Sequence, residues 1–98
     1  MLRWDWWIEL VSKQVSIINK LGLHARAAAK FVTLASEFAS NIHVARGSKK
    51  VNGKSIMGVM MLAAGEGTSI EIVAEGPDEQ DAVSRLEELI NQRFGEEA

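Results

Sequence analysis

The hydrophobic pattern changes period repeatedly along this 98-residue chain, and that alternation restricts its fold more than any other feature. Short segments in which apolar and polar residues alternate predict strands at 14–19, 41–46, 49–51 and 69–74. Helical spacing of apolar residues separates these strands and predicts helices that begin near His24, Ser55 and Asp78. The order β-α-β-β-α-β-α predicts an α+β open-faced sandwich, in which helices cover one face of a four-stranded sheet.

The two longer helices are predicted to be amphipathic. The apolar stripe of the first contains Ala28, Phe31, Leu34 or Ala35, and Phe38, and its polar stripe contains Arg26, Lys30, Thr33 and Glu37. The apolar stripe of the last contains Ala82, Val83, Leu86, Leu89, Ile90 and Phe94. Polar residues at strand positions, among them Ser16, Arg46 and Glu71, are consistent with an antiparallel sheet whose second face meets water.

All three tryptophans lie within the first ten residues. This step in composition predicts an N-terminal extension over residues 1–12, followed by a folded domain over residues 13–98. Clustered tryptophans favour half-buried sites, so the extension could be an interfacial anchor or a dimer contact. The alternative, a segment that covers an apolar patch or stays unstructured, is the commoner behaviour of chain termini. Charges at Arg3, Asp5 and Glu9 interrupt the apolar core that a secretory signal requires.

Charge and composition argue against several classes of function. The net charge is −2, so we expect no nucleic-acid partner. No apolar run approaches the ~20 residues of a membrane span, so we expect no membrane insertion. The chain has no cysteine, which rules out disulfides and thiolate metal sites and fits a reducing cytoplasm. Because the sequence contains no paired carboxylates and no set of metal ligands, we expect neither a metal nor a cofactor.

His24 lies where a glycine turn meets the start of the first predicted helix. A helix start presents unpaired N–H groups and the positive end of the helix dipole, which together bind anions. A phosphoryl group on an imidazole nitrogen there would meet the amides of Ala25, Arg26 and Ala27, and the Arg26 guanidinium would add a charged, forked donor. The alternative is an ordinary N-cap histidine with Arg26 in water. The other histidine, His43, is expected to be a solvent-facing strand residue.

Two motifs in this sequence resemble those of a known family. Gly22-Leu23-His24-Ala25-Arg26-Ala27-Ala28 resembles the phosphorylation-site motif of HPr, the histidine-containing phosphocarrier of the bacterial phosphotransferase system. Gly53-Lys54-Ser55-Ile56-Met57-Gly58-Val59-Met60 resembles the second signature of that family, around its regulatory serine. The spacing of the motifs, the order of the elements and the Gly76-Pro77-Asp78-Glu79 helix start match as well. The resemblance covers residues 15–95 and implies an HPr-like fold with an antiparallel sheet.

The resemblance also implies roles for individual residues. His24 would carry the phosphoryl group on Nδ1, and Arg26 would assist it. The donor would be enzyme I, charged by phosphoenolpyruvate, and the acceptor an EIIA-type protein. Ser55 would be the target of an HPr serine kinase in bacteria that have one, although a serine that caps a short helix needs no regulatory role. The protein would be a monomeric phosphocarrier and a substrate of the system, not an enzyme.

The docking surface of the family would here include Ile56, Met57 and Met60, whereas Val59 and Leu62 are expected in the core. Methionine suits a surface that fits several partners in turn. An alternative function is a regulatory binding module that acts through Ser55 and this surface without obligatory phosphotransfer. The presence of both His24 and Arg26 argues against that as the only role.

The sequence departs from the sugar-transport branch of the family at one position of the first motif. That branch usually has proline where this chain has Ala27, and proline would stiffen the first helical turn. The lead-in Asn19-Lys20-Leu21-Gly22 and the run Ala27-Ala28-Ala29 resemble the nitrogen-related NPr branch more closely. The resemblance therefore leaves both sugar uptake and nitrogen-related regulation open, and favours the second.

Overall fold

One antiparallel sheet organises residues 10–98, the part of the chain that the computed structural model describes. The elements in chain order are β1 (Val11–Ser16), α1 (Ala25–Ala35), β2 (Asn41–Arg46), β3 (Lys49–Asn52), α2 (Ile56–Met60), β4 (Ser69–Glu75) and α3 (Glu79–Asn91). A 3₁₀ turn at Arg93–Gly95 follows α3. The predicted element order and the α+β open-faced sandwich are confirmed.

The strands lie in the order β1-β4-β2-β3, and every neighbouring pair is antiparallel. β4 is therefore central: Ile70 lies opposite Val15 of β1, and Ile72 lies opposite Val44 of β2. Along β4 the buried residues Ile70, Ile72 and Ala74 alternate with residues that remain partly exposed. This period of two places one side of the sheet against the helices and the other side in water.

The core lies between the sheet and the helices α1 and α3. Phe31 of α1 and Leu86 and Ile90 of α3 are fully buried there, as the predicted apolar stripes require. Val59 and Leu62, expected in the core, are also buried. Within residues 10–98, no helix is both long enough and apolar enough to cross a membrane.

β1 lies further towards the N-terminus than the sequence predicted. It spans residues 11–16 instead of 14–19, and its first two residues, Val11 and Ser12, pair with Ala74 and Val73 of β4. The sheet therefore includes two residues that the sequence assigned to the N-terminal extension. β1 ends at Ser16, although the alternation of buried residues continues through Ile17 and Asn19, both of which are fully buried. Residues 1–9, with the three tryptophans, lie outside the described part of the chain.

Asp78 occupies the N-cap position of α3, as the sequence predicted. Its carboxylate, however, makes no capping hydrogen bond to that helix. It accepts hydrogen bonds from Ala39 N at 2.8 Å, from Ser40 N at 2.9 Å and from the Ser40 hydroxyl. These bonds, that from the Ser40 hydroxyl first, hold the pKa of Asp78 below its usual value. Asp78 therefore ties the start of α3 to the loop between α1 and β2.

Phe94 is buried, but not on the face of α3 where the sequence placed it. The helix ends at Asn91, and Arg93, Phe94 and Gly95 have left-handed backbone angles, with φ of 56°, 55° and 78°. The Phe94 carbonyl accepts a hydrogen bond from Lys30 Nζ of α1 at 2.7 Å. The left-handed turn thus buries the ring and directs the following residues back towards α1.

α2 has only five residues, and side chains from elsewhere in the chain hold its C-terminal end. Ser55 is the N-cap, as predicted, and its hydroxyl accepts a hydrogen bond from Gly58 N at 3.1 Å. At the other end, Arg46 donates to the carbonyls of Leu62 and Ala63, and Lys49 donates to that of Met61. The β2–β3 hairpin therefore supplies two cations to the negative end of α2, where a helix dipole favours them.

The contacts of Asp78 predict an acid-sensitive contribution to stability. Because the folded-state pKa is depressed, the stabilisation is present above the usual value of 3.8 and is lost as the pH falls through the lower folded-state value. Asp78→Asn should lower the free energy of unfolding at neutral pH, and the difference from wild type should shrink in acid. Urea unfolding at neutral and acidic pH measures both.

Asp81→Asn is the matched control, because Asp81 is an exposed carboxylate in the first turn of the same helix. It should lose only a helix-dipole contribution of about 0.3–1 kcal/mol. Equal effects of the two substitutions at every pH would contradict the role assigned to Asp78.

Candidate functional site at the start of helix α1

The turn between β1 and α1 fixes the position of His24 through main-chain contacts. Gly22 N donates to Asn19 O at 3.1 Å, and Leu23 N donates to Ala64 O at 2.9 Å. Gly22 has a φ of 70°, and a Cβ at this position would lie only 2.5 Å from Ala64 O. Only glycine satisfies both the backbone angle and the close approach, so the sequence fixes the chain immediately before His24.

His24 is the N-cap residue of α1, with an extended backbone and a ring that turns back over the first helical turn. Its Nδ1 accepts a hydrogen bond from Arg26 N at 3.3 Å, so this nitrogen carries a lone pair. The helical hydrogen bonds begin with Ala28 N, which donates to His24 O at 2.8 Å. The N–H groups of Ala25, Arg26 and Ala27 therefore have no intrahelical acceptor, and that of Arg26 donates to Nδ1.

The structure adds Glu96, a residue that the sequence analysis missed. Glu96 Oε2 lies 2.5 Å from His24 Nε2, on the side of the ring away from Arg26 N. The other carboxylate oxygen of Glu96 accepts a hydrogen bond from Asn19 Nδ2 at 3.0 Å, and Asn19 Nδ2 also donates to Gly22 O at 2.8 Å. Glu96 is 72 residues from His24 in the sequence, and no local pattern connects the two.

Opposing effects act on the carboxyl group of Glu96. Burial raises its pKa, but the hydrogen bonds from His24 and Asn19 and the electrostatic attraction to the basic groups of His24 and Lys30 outweigh burial, so the pKa lies below its usual value. The side chain is only 13 % exposed, whereas that of His24 is 27 % exposed. The site therefore contains a shielded, ionised carboxylate behind a ring that a partner can reach.

An open groove of about 330 Å³ adjoins the ring. It is lined by Lys20, Leu21, His24, Arg26, Glu96 and Ala98. Lys20 and Arg26 give the groove two cations, which suits an anion, while Leu21 is 67 % exposed and gives it an apolar margin. Sequence reasoning had identified Arg26 but neither Lys20 nor Leu21 as part of this region.

α2 packs beside α1 and presents an apolar surface. The exposed fractions of the predicted docking residues are 43 % for Ile56, 71 % for Met57 and 38 % for Met60. Met61, which the sequence analysis did not include, is 62 % exposed. These four side chains form what we call the methionine surface, and Ser55 lies at its edge as the N-cap of α2.

His43 lies apart from this site. Its neighbours in β2, Ile42 and Val44, are buried against the helices, so the alternation of the strand places His43 on the opposite face of the sheet. It is half-buried there, opposite Val73 and Asn52. Among residues 10–98, no group of three histidine or acidic side chains is placed to hold a metal ion.

Comparison with known proteins places the chain in a family. Residues 11–92 match the family model described as "PTS HPr component phosphorylation site". The phosphocarrier protein HPr of Neisseria meningitidis serogroup A is 53 % identical over 87 residues, which cover 89 % of this chain and 98 % of the relative. HPr of Pseudomonas aeruginosa is 55 % identical over 84 residues, which cover 85 % and 93 % of the two chains.

The fold agrees with the same assignment. The crystal structure of HPr-C-His from Thermoanaerobacter tengcongensis superimposes with a TM-score of 0.87 at 49 % sequence identity, over 90 % of this chain and 99 % of that one. An HPr from Bacillus anthracis superimposes with a TM-score of 0.78 at 44 % identity, over 81 % and 94 % of the two chains. The relatives are named phosphocarrier proteins, which are not themselves enzymes. The chain belongs to the HPr family of phosphocarrier proteins of the phosphotransferase system.

Proposed function

We propose that His24 accepts a phosphoryl group on Nδ1 from phospho-enzyme I and passes it to an EIIA-type protein. The observation that carries this proposal is the position of Nδ1, 3.3 Å from Arg26 N at the start of α1. A phosphoryl group on Nδ1 would lie beside first-turn amides that have no intrahelical acceptor. The Arg26 side chain, which lines the same groove, would add a charged donor for the phosphoryl oxygens.

The chemistry requires only one nucleophile from this chain. The lone pair of Nδ1 attacks the phosphorus atom, and the bond from phosphorus to the donor breaks with its electron pair left on the donor. In the second transfer an acceptor nucleophile attacks the same phosphorus atom, and the electrons of the N–P bond return to Nδ1. The amides of Ala25, Arg26 and Ala27 would neutralise charge on the phosphoryl oxygens in both directions.

The methionine surface would be the common docking site for donor and acceptor. Ile56, Met57, Met60 and Met61 are 38–71 % exposed on a helix that packs beside α1. Methionine side chains are flexible and polarisable, so they can fit partners of different shape.

We further propose a monomeric carrier in the cytoplasm, a compartment that suits the cysteine-free composition.

A role in nitrogen-related regulation is the branch that we favour over sugar uptake. Ala27 replaces the proline that is usual in the sugar branch, and its side chain is fully buried in the first turn of α1. Asn19, part of the lead-in that resembles the nitrogen-related branch, is fully buried and holds Glu96. Ala27 and Asn19 both lie close to His24, so both would affect the phosphoryl transfer proposed there.

His24→Ala should abolish labelling by enzyme I and radioactive phosphoenolpyruvate, because it removes the nucleophile. The label on the wild-type protein should be lost in acid, as expected for a phosphohistidine. His43→Ala is the matched control, since it removes the other histidine, and it should be labelled at the wild-type rate. Labelling of His24→Ala at that rate would overturn the proposal.

Ser55→Asp tests regulation at the edge of the methionine surface. Aspartate is a good N-cap, so α2 should be retained, while the added negative charge should repel an acidic partner surface. A repulsion of about 1 kcal/mol corresponds to a roughly fivefold rise in the Kd for an EIIA-type protein, which titration calorimetry can measure.

Ser55→Ala serves as the comparison, because it removes the cap without adding charge. It should lower stability by about 1 kcal/mol and leave docking nearly unchanged. If partner binding responds to Ser55→Asp but is unchanged by His24→Ala, the alternative is favoured: a regulatory module that binds without obligatory phosphotransfer.

A further inference from the structure

The environment of the His24 ring is different at its two nitrogens. Nδ1 faces a donor, the N–H of Arg26 at 3.3 Å, whereas Nε2 faces an acceptor, Oε2 of Glu96 at 2.5 Å. A neutral imidazole has one protonated and one unprotonated nitrogen, and its neighbours decide which is which. A donor at Nδ1 and a carboxylate at Nε2 both favour the tautomer with the proton on Nε2.

We infer that Glu96, held in place by Asn19, is a positioning residue that keeps the proton of His24 on Nε2 and the lone pair on Nδ1. This inference rests on the proposed function, because it explains why Nδ1 and not Nε2 would be the atom that accepts the phosphoryl group. Glu96 touches neither the phosphoryl group nor a partner in this role, and acts through the ring.

Asn19 determines that a hydrogen-bond donor, and not an acceptor, faces Glu96. Its fully buried side chain donates from one nitrogen, Nδ2, to both Gly22 O and Glu96 Oε1. Rotation of the amide by 180° would set its oxygen against the Gly22 carbonyl, so the hydrogen bond to Gly22 fixes which atom faces Glu96. A side chain at position 96 that bonds to Asn19 must therefore do so through an acceptor.

The chain that carries Glu96 is also fixed. Phe94 is buried, and Lys30 of α1 donates to its carbonyl at 2.7 Å. The pKa of Glu96 lies below its usual value because the hydrogen bonds and nearby positive charges outweigh burial, so the group is ionised near neutral pH and can only accept. An acceptor-only group against Nε2 requires that this nitrogen be the donor.

The same contact would assist the transfer itself. When Nδ1 bonds to phosphorus, the ring becomes positively charged and its remaining proton stays on Nε2, so no proton has to leave during the attack. The Glu96 carboxylate would stabilise that charge through the Nε2–H, and the stabilisation would disappear again when the phosphoryl group leaves. The electron pair of the bond that breaks stays on the phosphoryl donor.

Glu96→Gln gives the sharpest test, because glutamine has nearly the same size and shape as glutamate. With its oxygen held by Asn19, the glutamine would present its NH₂ group to Nε2 and force the proton onto Nδ1, the atom that must attack. Nitrogen-15 spectra of the histidine ring at alkaline pH should show the tautomer change from Nε2–H to Nδ1–H. The initial rate of labelling by enzyme I should fall on the order of a hundredfold, the upper range for loss of an orienting partner.

Glu96→Ala separates orientation from simple loss of charge. It removes the carboxylate but leaves both tautomers accessible, so its labelling rate should fall about tenfold and remain above that of Glu96→Gln. Glu97→Gln is the matched control, an identical change at the neighbouring, exposed carboxylate, and should retain the wild-type tautomer and rate. Thermal unfolding checks that all three variants are folded.

The outcomes separate this inference from the proposed function. If Glu96→Gln keeps the Nε2–H tautomer, or is labelled as fast as Glu96→Ala, the tautomer mechanism is wrong even when His24→Ala abolishes labelling. If His24→Ala is labelled normally, the phosphocarrier assignment of His24 fails whatever the tautomer of the ring. The spectra require no partner protein and test the ring geometry alone.

Discussion

A main-chain contact between two loops determines where His24 lies. The turn before α1 packs so closely against the segment after α2 that a Cβ on Gly22 would overlap Ala64 O. The hydrogen bond from Leu23 N to the same carbonyl fixes the distance between the loops. Because backbone atoms make this contact, His24 keeps its place whatever side chains line the groove. A rigid support of this kind suits the transfer proposed at His24, since small displacements of a nucleophile reduce rates strongly.

Three segments far apart in the sequence meet at this point: the turn that precedes α1, the loop that follows α2, and the chain beyond α3. The third returns only through the left-handed angles at Arg93 and Phe94, which are unfavourable for residues other than glycine. Burial of the Phe94 ring and the hydrogen bond from Lys30 to its carbonyl offset that cost. The result is a carboxylate behind the imidazole, placed there by tertiary packing.

The sequence predicts the parts of this structure that have a local cause. Strand and helix periods give the order of elements, and the N-cap positions of His24 and Ser55 follow from the residues around them. Asp78 is a good N-cap by residue type, yet its carboxylate is hydrogen-bonded to Ser40 instead. The two residues are 38 positions apart, and only the fold brings them together. Phe94 continues a helical stripe, but a left-handed turn buries it. Glu96 is invisible to local reasoning because its partner lies at the other end of the chain.

The two cations at the end of α2 have a kinetic consequence. A helix of five residues has little stability of its own, so α2 keeps its shape because Arg46 and Lys49 bind the carbonyls that follow it. Partners that dock on the methionine surface, as proposed, would be spared the entropy of ordering that helix at each encounter. Such encounters would be brief, with modest affinity and fast release, as the proposed transfer from one protein to another requires.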